Sequence, residues 1–108
     1  MSHLRQERFV IVLLDSKHRF ISDQTVSIGI LNRSLILLRE VFAGAVEQWA
    51  AALICVHNHP SGESKPSEED KRITRRLVEG VELIGIPVLD HVIIGQDNYT
   101  SFADEGLL

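Results

Sequence analysis

An α/β sandwich, with a mixed β-sheet and two main helices, is the fold class this sequence predicts. Two patterns carry the reading. Short apolar runs rich in valine, isoleucine and leucine occur at 8–15, 51–56 and 88–95. Between them lie two longer stretches in which apolar residues recur every three or four positions. A third observation sets the scale: 108 residues make one domain with a single modest core, so one domain is expected over 1–108.

Taken in order, Arg8 to Asp15 reads as a strand and Ser16-Lys17-His18 as a turn. Arg19 to Ile28 is a second, half-exposed strand. Gly29 and Asn32 break the pattern, and Ser34 begins the first long helix. From Glu40 to Ala51, the residues Val41, Phe42, Ala45, Val46 and Trp49 recur at helical spacing. Ala51-Ala52-Leu53-Ile54-Cys55-Val56 is a buried-type strand running into His57 and, if it continues, His59. A second helix from about Ser67 to Leu83 aligns Ile73, Leu77, Val81 and Ile84 on one face. Gly85 is placed to stop it, with Pro87 just beyond. Val88 to Gly95 and Tyr99 to Phe102 form a hairpin around Gln96-Asp97-Asn98. No linker, repeat or low-complexity segment interrupts this order.

Composition excludes several classes. Apolar residues make up 44% and charged residues 24%, as in ordinary globular domains. No apolar run approaches the ~20 residues of a membrane span, and no signal peptide is recognisable. The single cysteine, Cys55, excludes an intrachain disulfide, suits a reducing cytoplasm and reads as a small buried hydrophobe. Net charge is −4, whereas autonomous DNA binders carry a strong basic patch. The one dense basic cluster, Lys71, Arg72, Arg75 and Arg76, has Glu68 and Glu79 at i,i+4 spacing and reads as a solvated helix face.

The chemistry concentrates in His57-Asn58-His59-Pro60-Ser61-Gly62, followed by Ser67 and Asp70. On a strand, His57 and His59 point to the same face with Cα atoms about 6.5–7 Å apart, close enough to share one ion. Asp70 falls in the first turn of the second helix, where the helix dipole favours an anion. Three protein ligands with an open position are the arrangement of catalytic zinc. Simpler explanations compete: Ser67 and Asp70 fit a capping box, and two histidines at a strand end can bond to backbone. The letters His57-Asn58-His59 do not make an HNH nuclease, whose motif spans a hairpin and a helix. Zinc deaminases need a P-C-x-x-C element that is lacking here.

The pattern H-x-H-x7-S-x2-D, filled by His57, His59, Ser67 and Asp70, resembles the JAMM motif of the MPN/JAB metalloprotease superfamily. Within it, the His57–Gly62 segment, Pro66-Ser67 and Val88-Leu89-Asp90-His91-Val92-Ile93-Ile94-Gly95 resemble the bacterial RadC family. Arg39-Glu40-Val41-Phe42, Gly29 with Asn32, and Tyr99-Thr100-Ser101-Phe102-Ala103 add to the likeness, which covers nearly the whole chain. Leu37-Leu38 departs from it, standing where a His-Pro pair often precedes Arg-Glu.

The resemblance implies an MPN/JAB-like (cytidine-deaminase-like) α/β sandwich and one zinc ion, with another divalent metal as the alternative, on His57, His59 and Asp70. It also implies a glutamate as general acid/base at the start of a hydrophobic strand. Glu7, ahead of Phe9-Val10-Ile11-Val12, fits that place, with Glu40 as the competitor. Ser67 would donate to the developing oxyanion. Asp90 and His91, a polar pair inside an apolar strand, either support the ligands from behind or mark a strand end. The activity implied is hydrolysis of peptide or isopeptide bonds in a polypeptide substrate through a metal-activated water. Alternatives are a metal-dependent nuclease or DNA-processing factor, since the family carries a DNA-repair association, and a binding module without turnover. Full-length members of the family usually carry an N-terminal helix-hairpin-helix region that these 108 residues do not include, so the resemblance implies a catalytic-type domain, with any DNA association expected of the longer protein.

Overall fold

The computed structural model describes residues 7–26 and 33–108. Its elements are β1 (Phe9–Leu14), β2 (Phe20–Val26), α1 (Arg33–Glu47), β3 (Ala52–Asn58), α2 (Glu68–Glu82), β4 (Val88–Ile94) and β5 (Tyr99–Ser101). All seven were expected, and the bounds agree within a few residues. The expected end of the second strand at Ile28 and the break at Gly29 and Asn32 lie outside the described residues.

The sheet is mixed, in the order β2-β1-β3-β4-β5. β1 pairs antiparallel with both β2 and β3, β3 pairs parallel with β4, and β5 closes the far edge antiparallel to β4. The parallel pair needs a long crossover, and α2 supplies it. The core lies between one sheet face and the helices. Phe9, Ile11, Leu13, Leu53 and Cys55 meet Val41, Ala45, Leu77 and Val81 there. Burial of the Cys55 thiol pushes its pKa up, which keeps it an inert packing residue.

A bulge breaks the register between β3 and β4. Leu53 pairs with Val88, but Ile54 pairs with Asp90 and Cys55 with His91. The extra residue lets Val88 and His91, three apart in sequence, both face the helices.

Both helices end in the same paired backbone bonds. On α2, Ile86 N–H donates to Val81 O and Gly85 N–H to Glu82 O, with Gly85 at φ +81°. On α1, Ala50 N–H donates to Ala45 O and Trp49 N–H to Val46 O, with Trp49 at φ +55°. This is the Schellman termination, which favours glycine at the left-handed position. Trp49 occupying that position corrects the expected apolar stripe of α1. The stripe stops at Ala45: Val46, still within α1, is on its exposed side, and Trp49 is exposed because the chain has already turned away. Ile84 likewise leaves the α2 stripe, lying in the turn beyond the helix and exposed. Among the described residues no helix is long and apolar enough to cross a membrane.

Candidate metal centre

β3 delivers the two histidines. His57 is buried near its end, and His59 continues the ladder by donating its N–H to Ile94 O. Period-2 alternation puts both on the helix-covered face, with ring centroids 5.0 Å apart and edge to face.

α2 delivers the carboxylate. Ser67 is its N-cap in a complete capping box: Asp70 N–H donates to Ser67 Oγ at 3.0 Å, and Ser67 N–H donates to Asp70 Oδ2 at 2.9 Å. This bond orients Asp70 back toward β3. Its Oδ2 lies 2.9 Å from His59 Nε2 and its Oδ1 3.6 Å from His57 Nδ1. His57, His59 and Asp70 offer ligand atoms all within 4.8 Å of one another. The cap and the ligand site, rivals in the sequence, therefore coexist in one side chain. The cap uses only a lone pair of the Ser67 hydroxyl, which leaves its proton for an acceptor in the site.

Both rings are turned toward the carboxylate. His59 Nδ1 lies 2.9 Å from the carbonyl oxygen of Glu63, which can only accept, so Nδ1 carries a proton. The ring Nε2 then faces the Asp70 carboxylate at 2.9 Å, a separation that either a proton or a shared divalent ion can bridge. His57 Nδ1 is buried with no hydrogen-bond partner among the described residues. Burial lowers the His57 pKa, although the Asp70 and Glu7 carboxylates pull it upward. Burial also raises Asp70, but the Ser67 backbone N–H and the nearby His57 outweigh it and hold the carboxyl below its usual range. A neutral imidazole and an ionised carboxylate are the forms that ligate. The residues present fit a divalent metal ion.

Glu7 reaches the site from the start of β1. Phe9 pairs with His57, so Glu7, two residues earlier, shares the face of both histidines. Its Oε1 lies 3.4 Å from His57 Nε2. Glu40 sits on α1, its carbonyl accepting from Gln24 Nε2 of β2 at 3.4 Å. Of the two candidate bases, the structure brings Glu7 to His57.

Asn58, between the ligands, points the opposite way and was not singled out by the sequence. Its Oδ1 accepts the Arg8 N–H, and its own N–H donates to Arg8 O at 3.2 Å. This two-way clamp fixes the strand start that carries Glu7. Asp90 is a fastener too: Oδ1 accepts from the N–H groups of His91 and Ala103, and Oδ2 from the Ser101 hydroxyl. His91 is buried toward the site, and burial, with His57 nearby, pushes its pKa down to about 3. The loop after His59 is docked by glycines. Gln96 N–H donates to Gly62 O at 2.9 Å, and a Cβ on Gly95 would lie 2.4 Å from that same oxygen.

Comparison with known proteins agrees with this geometry. The family model described as a RadC-like JAB domain matches residues 1–107. A UPF0758 protein of Symbiobacterium thermophilum is 51% identical over all 108 residues, which span 46% of its length. One from Trichlorobacter lovleyi is 55% identical over 104 residues, 96% of this chain and 45% of that protein. One from Methanosarcina barkeri is 45% identical over 108 residues, the whole of this chain and 47% of that protein. The chain thus spans about half the length of the curated relatives it matches. With the JAMM-like His-His-Asp cluster assembled in a mixed α/β sandwich, the chain belongs to the RadC-like JAB domain family.

Proposed function

We propose that this domain is a zinc-dependent hydrolase that cleaves peptide or isopeptide bonds in a polypeptide substrate. The observation that carries the reading is the convergence of Asp70 and Glu7 on the histidine pair, 3.6 and 3.4 Å from the two nitrogens of His57. Held by His57, His59 and Asp70, a divalent ion would supply Lewis acidity that lowers the pKa of a water from 15.7 to roughly 7. Glu7 accepts the proton of the attacking water and returns it to the leaving amine, a task for a carboxylate within hydrogen-bond reach. Ser67 turns its hydroxyl proton to the carbonyl oxygen as charge develops there. His59 is held in register by the Glu63 carbonyl, and Asp70 by the Ser67 N–H. Zinc is favoured because two imidazoles, one carboxylate and an open position make its usual catalytic set.

The test is zinc content after purification without chelator, for the wild type, His57→Ala and Asp70→Ala. About one zinc per chain is expected in the wild type and none in the variants. Glu7→Gln should retain the zinc and lose hydrolysis of peptide and isopeptide substrates. A wild-type protein that takes up no zinc even when it is supplied overturns the reading.

A further inference from the structure

We propose that His91 and Thr74 are positioning residues for the metal centre, a buried latch between β4 and α2 that sets Asp70 against the histidines before an ion arrives. The inference rests on the metal-centre reading and adds two residues that touch no ligand atom of an ion.

The latch is visible in the direction of its hydrogen bonds. The Thr74 hydroxyl donates its only proton to the Asp70 carbonyl oxygen at 2.8 Å. It can therefore only accept from the imidazole, so His91 Nδ1–H is the donor. The path runs from β4 through Thr74 to the backbone of the residue that presents the carboxylate. The His91 ring also lies against a second ligand. It stacks on His57 at 5.9 Å and 29° and on Phe102 at 4.5 Å, with Phe9 tilted against it at 5.3 Å. One side chain thus backs both the strand ligand and the helix ligand.

Packing alone does not account for an imidazole at this position. His91 is 1% exposed, and its Nε2 is buried with no hydrogen-bond partner among the described residues. An unpaired buried acceptor is costly, and a phenylalanine among Phe9, Phe102 and His57 would carry no such penalty. The β4 bulge further turns this residue inward instead of leaving it on the open face. A core residue that costs stability yet aims a donor at the ligand-bearing turn is the signature of a side chain kept for positioning.

The experiment measures Zn2+ affinity by chelator competition at neutral pH, and thermal melting of the metal-free protein. The variants are His91→Phe and Thr74→Val, with His57→Ala as the control. In His91→Phe, Zn2+ affinity should fall about 10–100-fold while the metal-free melting temperature holds or rises. Thr74→Val, which removes only the hydroxyl, should weaken Zn2+ binding as well. Wild-type affinity in Thr74→Val overturns the latch, even if His91→Phe does not fold. A drop in melting temperature with unchanged affinity in His91→Phe overturns it too, since that is a merely structural role. If wild type and His57→Ala bind Zn2+ equally poorly, the metal centre itself falls, and the latch with it.

Discussion

Along β3, Leu53, Cys55 and His57 turn toward the helices and are buried, whereas Ile54 and Val56 between them face away and are half-buried. Their neighbours repeat the contrast: Ile11, Leu13 and Ile93 are buried on one side, while Val10, Val12, Val92 and Ile94 are only half-covered on the other. The polar residues divide the same way. Glu7, His57 and His91 lie on the covered face, with groups poised for an ion or for its ligands. Asn58, itself buried, and Asp90 lie on the face turned away from the helices, and their oxygens accept from backbone N–H groups. One face of the sheet holds reactive groups in place, and the other fastens the strands that carry them.

The contrast is sharpest in stability. Leu53→Ala should cost about 2–5 kcal/mol in urea unfolding, because its cavity lies under the helices. Ile54→Ala, one residue along, should cost roughly 1 kcal/mol, since that side chain is only partly buried to begin with. Equal losses would erase the distinction between the faces.

Acid should act next, through the covered face. The His91 pKa is about 3 in the folded state against an ordinary value of 6.5, so between those values the unfolded chain binds a proton that the folded one does not. The metal-free protein should therefore lose a few kcal/mol as pH falls from 6.5 toward 3, with no further loss from this group below that. His57, also lowered, adds to the same window. The stability that Asp70 contributes is lost only below its ordinary 3.8, as pH falls through its lowered folded value. Unfolding free energies for His91→Phe should show a flatter dependence between pH 6.5 and 4. An unchanged slope would mean that the buried imidazole is not the source.

The smallest effect on the metal centre belongs to the face turned away from the helices. Asn58→Ala leaves the Arg8 N–H without its acceptor and should cost about 1–3 kcal/mol, while Zn2+ affinity stays within twofold of wild type. A large loss of Zn2+ affinity would show that the clamp and the ligands are one device and not two.

Much of this was legible in the residues. Period-2 and helical recurrence located all seven elements, and Gly85 and the Ser67–Asp70 box marked the end and the start of α2. The ligand trio was legible because its three members come from one strand end and the next helix start, which sequence adjacency already links. Trp49 was misjudged because a left-handed helix terminus has no sequence signal when glycine does not fill it. The roles of Asp90 and His91 stayed open because a bulge decides which face each occupies, and alternation cannot register an inserted residue. Thr74 gave no signal at all, since its partner is seventeen residues away on another element.

The terminus of α1 has one more consequence, for how this molecule reports on itself to light. Its only tryptophan, Trp49, is 90% exposed, and its only tyrosine, Tyr99, is 68% exposed. Trp49 follows α1 and precedes the start of β3, whereas His57 lies at the other end of that strand. Indole emission from the native state will therefore resemble that of an indole in water. An ion settling among His57, His59 and Asp70 will leave that emission unchanged, so the chain carries an intrinsic fluorophore that is blind to its own chemistry.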